Sequence, residues 1–339
     1  MTSIVSVICA SHSPYLFQSP EQWTQAQQTR AAAGNFREPF AIDTLEQNVE
    51  KHGRCMRAFE VLRRRLEADA PDFLVIFGDD QNEQFQFSNF PAFAIFTGDT
   101  FGGYKISRYQ GIPLPGGKRP ERPKTPEHWA TVSNRTDVAK YLLTSLVRSG
   151  FDIAFCTGLA DPDEGMGHAF TRPSYYLDPD YSKPVVPILI NCFYGPQPTG
   201  RRCCKLGLAV RELVEALPGN ARVTILGSGG LWHTPMMPRS YLNEEFDRGI
   251  LSRAAKGDAA GMAEFFDAYE QPFDLTTEEG LKMASGGTGV VLGLGSGIGE
   301  TRTWIAAVAA AGGQPGEIVD YVQIGASPVG VAFAHFKLS

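Results

Sequence analysis

The alternation of short apolar segments with longer helical patterns is the feature that most restricts the fold of this chain. The candidate strands are SIVSVICA, DFLVIFG, FPAFAIF, FDIAFCTG, VVPILINCF, RVTILGSGG, EIVDYVQIG and VGVAFAHF. Helical patterns lie between several of them, and one opens at Thr44, a residue type that can act as N-cap. The alternation predicts an α/β fold with a central mixed sheet covered by helices on both faces.

The length of the chain is compatible with either one domain or two. A chain of 339 residues can bury a large core as one domain or as two. We find no internal repeat and no linker between two cores, so we expect a single domain over 1–339. Residues 102–135 are rich in Pro, Gly and charge, which predicts a long surface excursion.

Composition excludes several classes of function. The net charge of -6 argues against a nucleic-acid partner, because phosphate binding requires a basic face. Neither a membrane span nor a signal peptide is evident, so we expect a cytoplasmic protein without a membrane partner. The six cysteines form no CxxC pair and no regular framework. Any metal must therefore be held by histidine and carboxylate.

Three of the six histidines lie beside Gly or Ser turns. His12 follows the first strand, His233 follows RVTILGSGG, and His168 lies in the glycine-rich DEGMGHAF. Ligands of open α/β sheets bind outside the carboxyl ends of the strands, so His12 and His233 are expected at one rim. A hydrogen-bonded structural role is the alternative for each of them. His52 is a weaker candidate, because a histidine in a helical pattern can simply be solvated or pack against another helix, and structural roles are expected for His128 and His335.

Acidic residues complete the candidate metal ligands. Asp79 and Asp80 follow the apolar run DFLVIF, and Glu300 lies in the first turn of an Ala-rich helical pattern. A first-turn acid is also favoured simply by the helix dipole. Two histidines and one carboxylate, however, form the arrangement typical of non-haem Fe(II) oxygenases.

Eight motifs in order resemble the class III extradiol ring-cleavage dioxygenases, the family of protocatechuate 4,5-dioxygenase, gallate dioxygenase and 3-O-methylgallate dioxygenase. The motifs are SHSP, FGDDQNEQF with NFPAFAIFTGDTF, GHAF, PVVPILINCFYGPQPTGRRCCKLG, LGSGGLWH, NEEFDRGIL, SGIGETRTW and VQIGASPVGVAF. The form GDDQ and the length are most similar to the 3-O-methylgallate type.

The resemblance implies a role for each matching residue. His12 matches the first iron ligand, and Glu300 matches the carboxylate ligand. His233 matches the acid/base histidine beside the oxygen site. His168 matches a histidine that faces the substrate, and Ser327 matches a residue near the substrate's carboxylate. The implied cofactor is Fe(II).

The chain departs from the family pattern at the second iron histidine, where it has Gln81. Gln81 could bind through its amide oxygen, or Asp79 or Asp80 could replace the imidazole. His52, on the helix that leads into this strand, is the third possibility and the one we favour, because iron prefers imidazole.

The resemblance therefore implies an Fe(II)-dependent extradiol dioxygenase that opens a catechol-type ring with O2, such as that of protocatechuate, gallate or 3-O-methylgallate. The alternatives are a zinc-dependent non-redox hydrolase on the same fold and a metal-free accessory protein that binds aromatics. The expected partners are a small aromatic substrate and O2. The protein is expected to form a homo-oligomer, namely a dimer.

Overall fold

The computed structural model of the protein describes residues 1–86, 88–106, 124–234, 240–269 and 297–338. Its strands are β1 Ser3–Ala10, β2 Phe73–Asp79, β3 Phe93–Phe96, β4 Thr100–Tyr104, β5 Trp129–Ser133, β6 Ile153–Cys156, β7 Val185–Ile190, β8 Arg222–Ser228, β9 Glu317–Ile324 and β10 Val329–Lys337. Its helices are α1 Pro20–Ala32, α2 Leu45–Asp69, α3 Thr136–Arg148, α4 His168–Leu177, α5 Gly200–Glu215, α6 Glu244–Ala254, α7 Ala259–Tyr269 and α8 Thr301–Ala310, with a 3-10 turn at Pro14–Phe17.

Eight strands form one mixed sheet in the order β6-β3-β7-β2-β8-β1-β10-β9. The four central strands β7, β2, β8 and β1 are mutually parallel. β10 and β9 continue the sheet antiparallel on one side, and β3 pairs antiparallel with β7 on the other. All eight candidate strands of the sequence are in this sheet, which confirms the predicted α/β class.

Alternate residues of the central strands face two separate hydrophobic cores. In β2, Phe73, Val75 and Phe77 contribute to one core, whereas Leu74 and Ile76 contribute to the other. Helices α3 and α5 to α8 cover the first face, and α1, α2 and α4 cover the second. The four central strands are buried on both sides, so they have nearly continuous apolar sequences, as is typical of parallel sheets.

The helix that precedes β2 begins where the sequence indicates. Thr44 caps α2, and its hydroxyl accepts a hydrogen bond from the Gln47 N–H while the Gln47 side chain accepts one from the Thr44 N–H. This reciprocal pair satisfies two backbone donors that the first helical turn leaves open. The cap fixes the start of the helix that carries His52.

The predicted excursion at 102–135 is partly regular structure. Its two ends belong to β4 and β5, which pair antiparallel as a separate two-stranded sheet. Residues 107–123 lie outside the described part of the chain. Within the described residues, no helix combines the length and apolar character that crossing a membrane requires.

Candidate metal centre

The carboxyl ends of the parallel strands bring several of the predicted site residues together. β1, β2 and β8 end at the same edge of the sheet, and His12, Asp79 and His233 lie at or just beyond those ends. Glu300 reaches the same edge from the start of α8, and His168 does so as the first residue of α4. This edge is where an open α/β sheet binds its ligands.

A buried serine fixes the hydrogen on the His12 ring. The Ser228 hydroxyl donates to the Ala169 carbonyl at 2.6 Å, so it can only accept from His12 Nδ1, which lies 2.9 Å away. The neutral His12 imidazole therefore carries its lone pair on Nε2. This nitrogen is buried and has no hydrogen-bond partner among the described residues.

Two carboxylates face that lone pair. Asp79 Oδ1 lies 3.6 Å from His12 Nε2, and Glu300 Oε2 lies 3.4 Å from it. Asp79 Oδ1 is also buried without a hydrogen-bond partner in the described part of the chain. Buried polar atoms are rarely left unpaired, and two that face each other with only lone pairs fit a bound cation. His12 and Asp79 thus offer two ligand atoms to a cation.

The charge on Asp79 depends on what occupies this site. Burial raises the pKa of Asp79 well above its usual range, and the nearby carboxylates of Glu300 and Glu83 raise it further. A cation between Asp79 and His12 would favour the ionised form instead.

Glu300 is held by donors from three directions. Its Oε2 accepts from the Gly230 N–H at 2.8 Å, while its Oε1 lies 3.4 Å from the Gln81 amide nitrogen and 3.3 Å from His233 Nε2. Burial would raise the pKa of Glu300, but the His233 imidazole beside it holds the pKa well below its usual range. The carboxylate is therefore available as an anion.

Two glycines after β8 make room for this contact. Gly229 and Gly230 have φ of 128° and 58°, which other residues rarely adopt. A Cβ on Gly229 would lie 3.1 Å from Glu300 Oε2 and 3.3 Å from His12 Cε1. The GSGG sequence thus lets the backbone pass directly beside the His12 and Glu300 side chains.

His233 is arranged to hold a proton. Its Nδ1 lies 3.2 Å from the Leu231 carbonyl, and its Nε2 faces Glu300, so both ring nitrogens have acceptors. Burial would lower the pKa of His233, but the Glu300 carboxylate raises it above the usual value. The Phe193 ring stands edge-on to the imidazole at 5.8 Å between centroids.

His168 lies against His12 and is oriented by Glu83. The two imidazole rings are 4.6 Å apart at 81°, and ligand atoms of His12, Asp79 and His168 lie within 4.8 Å of one another. The Glu83 carboxylate is 2.8 Å from His168 Nδ1 and also accepts from the His168 backbone N–H. Burial lowers the pKa of His168 to about 4, so the ring is neutral near pH 7.

His52 does not join this cluster, which corrects the favoured prediction for the second imidazole. Its ring stands edge-on to the Trp23 indole at 5.5 Å, in the contact between α1 and α2. This side chain faces α1 and not the cluster around His12. Within the described residues, the one group with metal-binding geometry contains His12, Asp79 and His168.

The remaining predicted residues are placed as follows. Gln81 lies inside the cluster, where its amide nitrogen donates to Asp79 Oδ2 at 3.2 Å and faces Glu300. Ser327 is buried in the turn between β9 and β10, and its hydroxyl has no hydrogen-bond partner among the described residues. His335 pairs with Asp69 at 2.9 Å, away from the cluster.

Sequence reasoning did not find Glu83 or Ser228. Glu83 lies in the FGDDQNEQF stretch, and the Asp80 carboxylate shapes its loop by accepting backbone N–H bonds from Glu83, Gln84 and Phe85. The sequence shows Glu83 itself but does not indicate its partner, because His168 is 85 residues away along the chain.

The fold and this cluster define an α/β protein with a candidate metal centre at the carboxyl edge of its sheet. The family model described as the catalytic LigB subunit of aromatic ring-opening dioxygenase matches residues 6–333, so the chain belongs to this family. Dioxygenases of this family are metal-dependent. The predicted membership is confirmed, while similarity to the 3-O-methylgallate type in particular stays a prediction.

Two relatives carry the name 2,3-dihydroxyphenylpropionate/2,3-dihydroxicinnamic acid 1,2-dioxygenase. The protein from Photorhabdus laumondii is 29% identical over 73% of this chain and 62% of its own length. The protein from Pseudomonas putida, numbered 2 in its name, is 30% identical over 58% of this chain and 54% of its own length. The matched part thus spans less than two thirds of each relative.

Among solved structures, an uncharacterized protein from Escherichia coli K12 covers 98% of this chain at 11% identity, with a TM-score of 0.48.

Proposed function

We propose that the protein is an Fe(II)-dependent extradiol dioxygenase that opens the ring of a catechol-type aromatic with O2. The observation that carries the proposal is the pair of unpaired buried ligand atoms, His12 Nε2 and Asp79 Oδ1, beside Glu300 and His233 in a chain of this family. The names of the relatives support a substrate with two adjacent ring hydroxyls.

The residues that would hold the metal include His12 and Glu300. His12 presents a fixed lone pair, and Glu300 is an anion 3.4 Å from it. Bound Fe(II) would bring the substrate and O2 together and would let electrons pass from the ring to O2. The ring carbon–carbon bond beside the diol breaks, and both oxygen atoms enter the product.

His233 would move the proton during turnover. Its Nε2 faces the Glu300 oxygen that is turned away from His12, so the imidazole borders the metal site without an assigned ligand role. When Glu300 shares its charge with a cation, less negative charge faces His233, and the ring can accept a proton from a substrate hydroxyl. The same ring would then return this proton to the product.

Ser327 is the proposed contact for a polar substituent of the substrate. The chain after β8 pairs with β10 through His233 and Val329, which brings the β9–β10 turn next to the proposed base. The Ser327 hydroxyl in that turn is buried without a partner in the described part of the chain. A substrate carboxylate or hydroxyl would satisfy it.

The test is oxygen uptake by protein reconstituted anaerobically with Fe(II). Catechol, protocatechuate, gallate, 3-O-methylgallate and 2,3-dihydroxyphenylpropionate are mixed with aerated buffer in an oxygen electrode, with the zinc-loaded protein as control. The proposal expects one O2 consumed for each ring opened, with iron only. Turnover of the zinc protein without oxygen uptake would contradict it and favour a hydrolytic reaction.

A further inference from the structure

We propose that His168, oriented by Glu83, supplies the second imidazole of the metal centre in place of the ligand that Gln81 does not provide. The proposal concerns the same site as the proposed function. It rests on that function for the role that the bound metal would have. It assigns to His168 a ligand role instead of the substrate contact that the resemblance implies.

The position of His168 is the first argument. As the first residue of α4, it lies across the sheet edge from β1, and its ring stands edge-on to His12 at 4.6 Å. Its ligand atom lies within 4.8 Å of those of His12 and Asp79. Bonds of about 2.0–2.2 Å hold two ligand atoms of one first-row metal ion within roughly 4.4 Å of each other, so binding an ion would require these atoms to close together only slightly.

The hydrogen bonds of His168 are the second argument. Glu83 lies 2.8 Å and 3.0 Å from Nδ1 through its two oxygens, and it also accepts from the backbone N–H of the same residue. The Nδ1–H therefore faces a carboxylate, and Nε2 carries the lone pair. Metal-bound histidines typically donate their other N–H to a carboxylate in this way.

Gln81 is already used as a donor. Its amide nitrogen lies 3.2 Å from Asp79 Oδ2 and 3.4 Å from Glu300 Oε1, and carboxylates can only accept. The amide orientation follows from these two acceptors, because its oxygen would be repelled by both. Gln81 thus links the two carboxylates, and it does not present an oxygen to the position that they face.

The resulting donor set contains two imidazoles and two carboxylates, and either carboxylate would complete the two-histidine, one-carboxylate arrangement of non-haem iron enzymes. His12 and His168 give two imidazoles, and Asp79 and Glu300 place a carboxylate 3.6 Å and 3.4 Å from His12 Nε2. Two imidazoles and one carboxylate on one face of an iron leave adjacent positions open for substrate and O2.

The experiment measures metal binding directly, with Co(II) as the probe and equilibrium dialysis under argon as the readout. His168→Ala should weaken Co(II) binding by more than the about 10–100-fold expected for loss of an orienting partner, and Glu83→Gln should weaken it within that range. His52→Ala is the matched control, a half-buried histidine packed on Trp23, and should leave the affinity unchanged. Co(II) affinity of the native value in His168→Ala would overturn the proposal.

A second measurement applies if His168→Ala does not fold, as judged by circular dichroism. Pulsed electron paramagnetic resonance of the Cu(II)-loaded His52→Ala protein counts the bound imidazoles. Two imidazoles support the assignment, because His12 and His168 remain, and a single imidazole overturns it.

The two proposals fail in different ways. Protein that binds Co(II) through His168 but consumes no O2 with any catechol when loaded with iron would contradict the proposed function and leave the ligand assignment standing. Full ring cleavage by iron-loaded His168→Ala would overturn the assignment and leave the function standing.

Discussion

At the scale of single residues, hydrogen bonds around the site determine where lone pairs and protons lie. Ser228 directs the His12 lone pair to the space that Asp79 and Glu300 face, and Glu83 leaves the His168 lone pair on Nε2. His233 differs from both, because a carboxylate faces its Nε2 and a carbonyl faces its Nδ1. The histidines of one cluster are thus prepared for two tasks, ligation and proton transfer.

Replacing His233 should separate these tasks. His233→Phe removes the proton carrier but none of the proposed ligand atoms, so Fe(II) content should remain and turnover should fall by about 10²–10⁴. Iron analysis and oxygen uptake on the same sample measure both quantities. If the variant loses its iron, His233 is a ligand and its assigned role is wrong.

Replacing Ser228 should weaken the metal site without touching a ligand. Ser228→Ala removes the acceptor of the His12 Nδ1–H, and loss of such a partner typically lowers metal affinity by about 10–100-fold. Ser6→Ala is the control, since its hydroxyl is also buried in the sheet and pairs with Thr224 at 2.8 Å. Equal Co(II) affinities of the two variants would argue against an orienting role for Ser228.

At the scale of secondary structure, the site depends on how closely α4 approaches β2. Gly78 in β2 lies under α4, and a Cβ there would come within 2.9 Å of the Ala169 and Phe170 side chains. The absence of a side chain therefore lets the first turn of α4 bring His168 next to Asp79.

Gly78→Ala tests this packing. Overpacking of this kind typically lowers the free energy of unfolding by about 1–3 kcal/mol. If α4 moves to make room for the added Cβ, His168 moves away from Asp79. We expect a lower free energy of unfolding in urea together with weaker Co(II) binding. Gly249→Ala, which would press on the Phe265 ring between α6 and α7, should lose stability but keep its Co(II) affinity. An unchanged Co(II) affinity in Gly78→Ala would mean that the position of α4 does not control metal binding.

The elements of the sheet could be predicted from the sequence, while the partners of its side chains could not. The four central strands have long apolar runs, and the other four strands of the sheet also have recognisable apolar segments, so all eight were identifiable. β4 and β5 are short and contain Gly or alternating polar residues, and they escaped notice inside a Pro- and Gly-rich stretch. The fold class therefore follows from periodicity alone.

The candidate site was predictable where it depends on strand ends, as for His12 and His233. The prediction for His52 was wrong. The sequence gives the position of His52 along α2 but not the element that its side chain contacts, which is α1 through Trp23. The contact of Glu83 with His168 joins segments far apart in the sequence, which no local pattern records.

At the scale of the whole molecule, buried acids make stability depend on pH. Burial raises the pKa of Asp247 to about 7, although the Tyr321 hydroxyl and the Trp232 N–H donate to it. The folded protein therefore keeps a proton that the unfolded chain has lost between about pH 4 and pH 7. Over that window, this residue lowers the free energy of unfolding as the pH rises, by at most about 1.4 kcal/mol per pH unit.

Asp247→Asn should remove that contribution. The amide cannot ionise, so the free energy of unfolding of the variant should fall less steeply than that of the native protein between pH 5 and 7. Urea titrations of both proteins across this range provide the difference curve. Parallel curves would show that Asp247 has the same proton affinity in the folded and unfolded states.

The central claim is that this chain uses O2 to open an aromatic ring, and the fate of the two oxygen atoms tests it most directly. Fe(II)-loaded protein is supplied with the most active catechol under oxygen-18-labelled O2, and the product is analysed by mass spectrometry. Our account predicts a ring-opened product in which both atoms of one labelled O2 molecule are incorporated, before any exchange with water. A product whose new oxygen comes only from water, or an unopened ring, would contradict it.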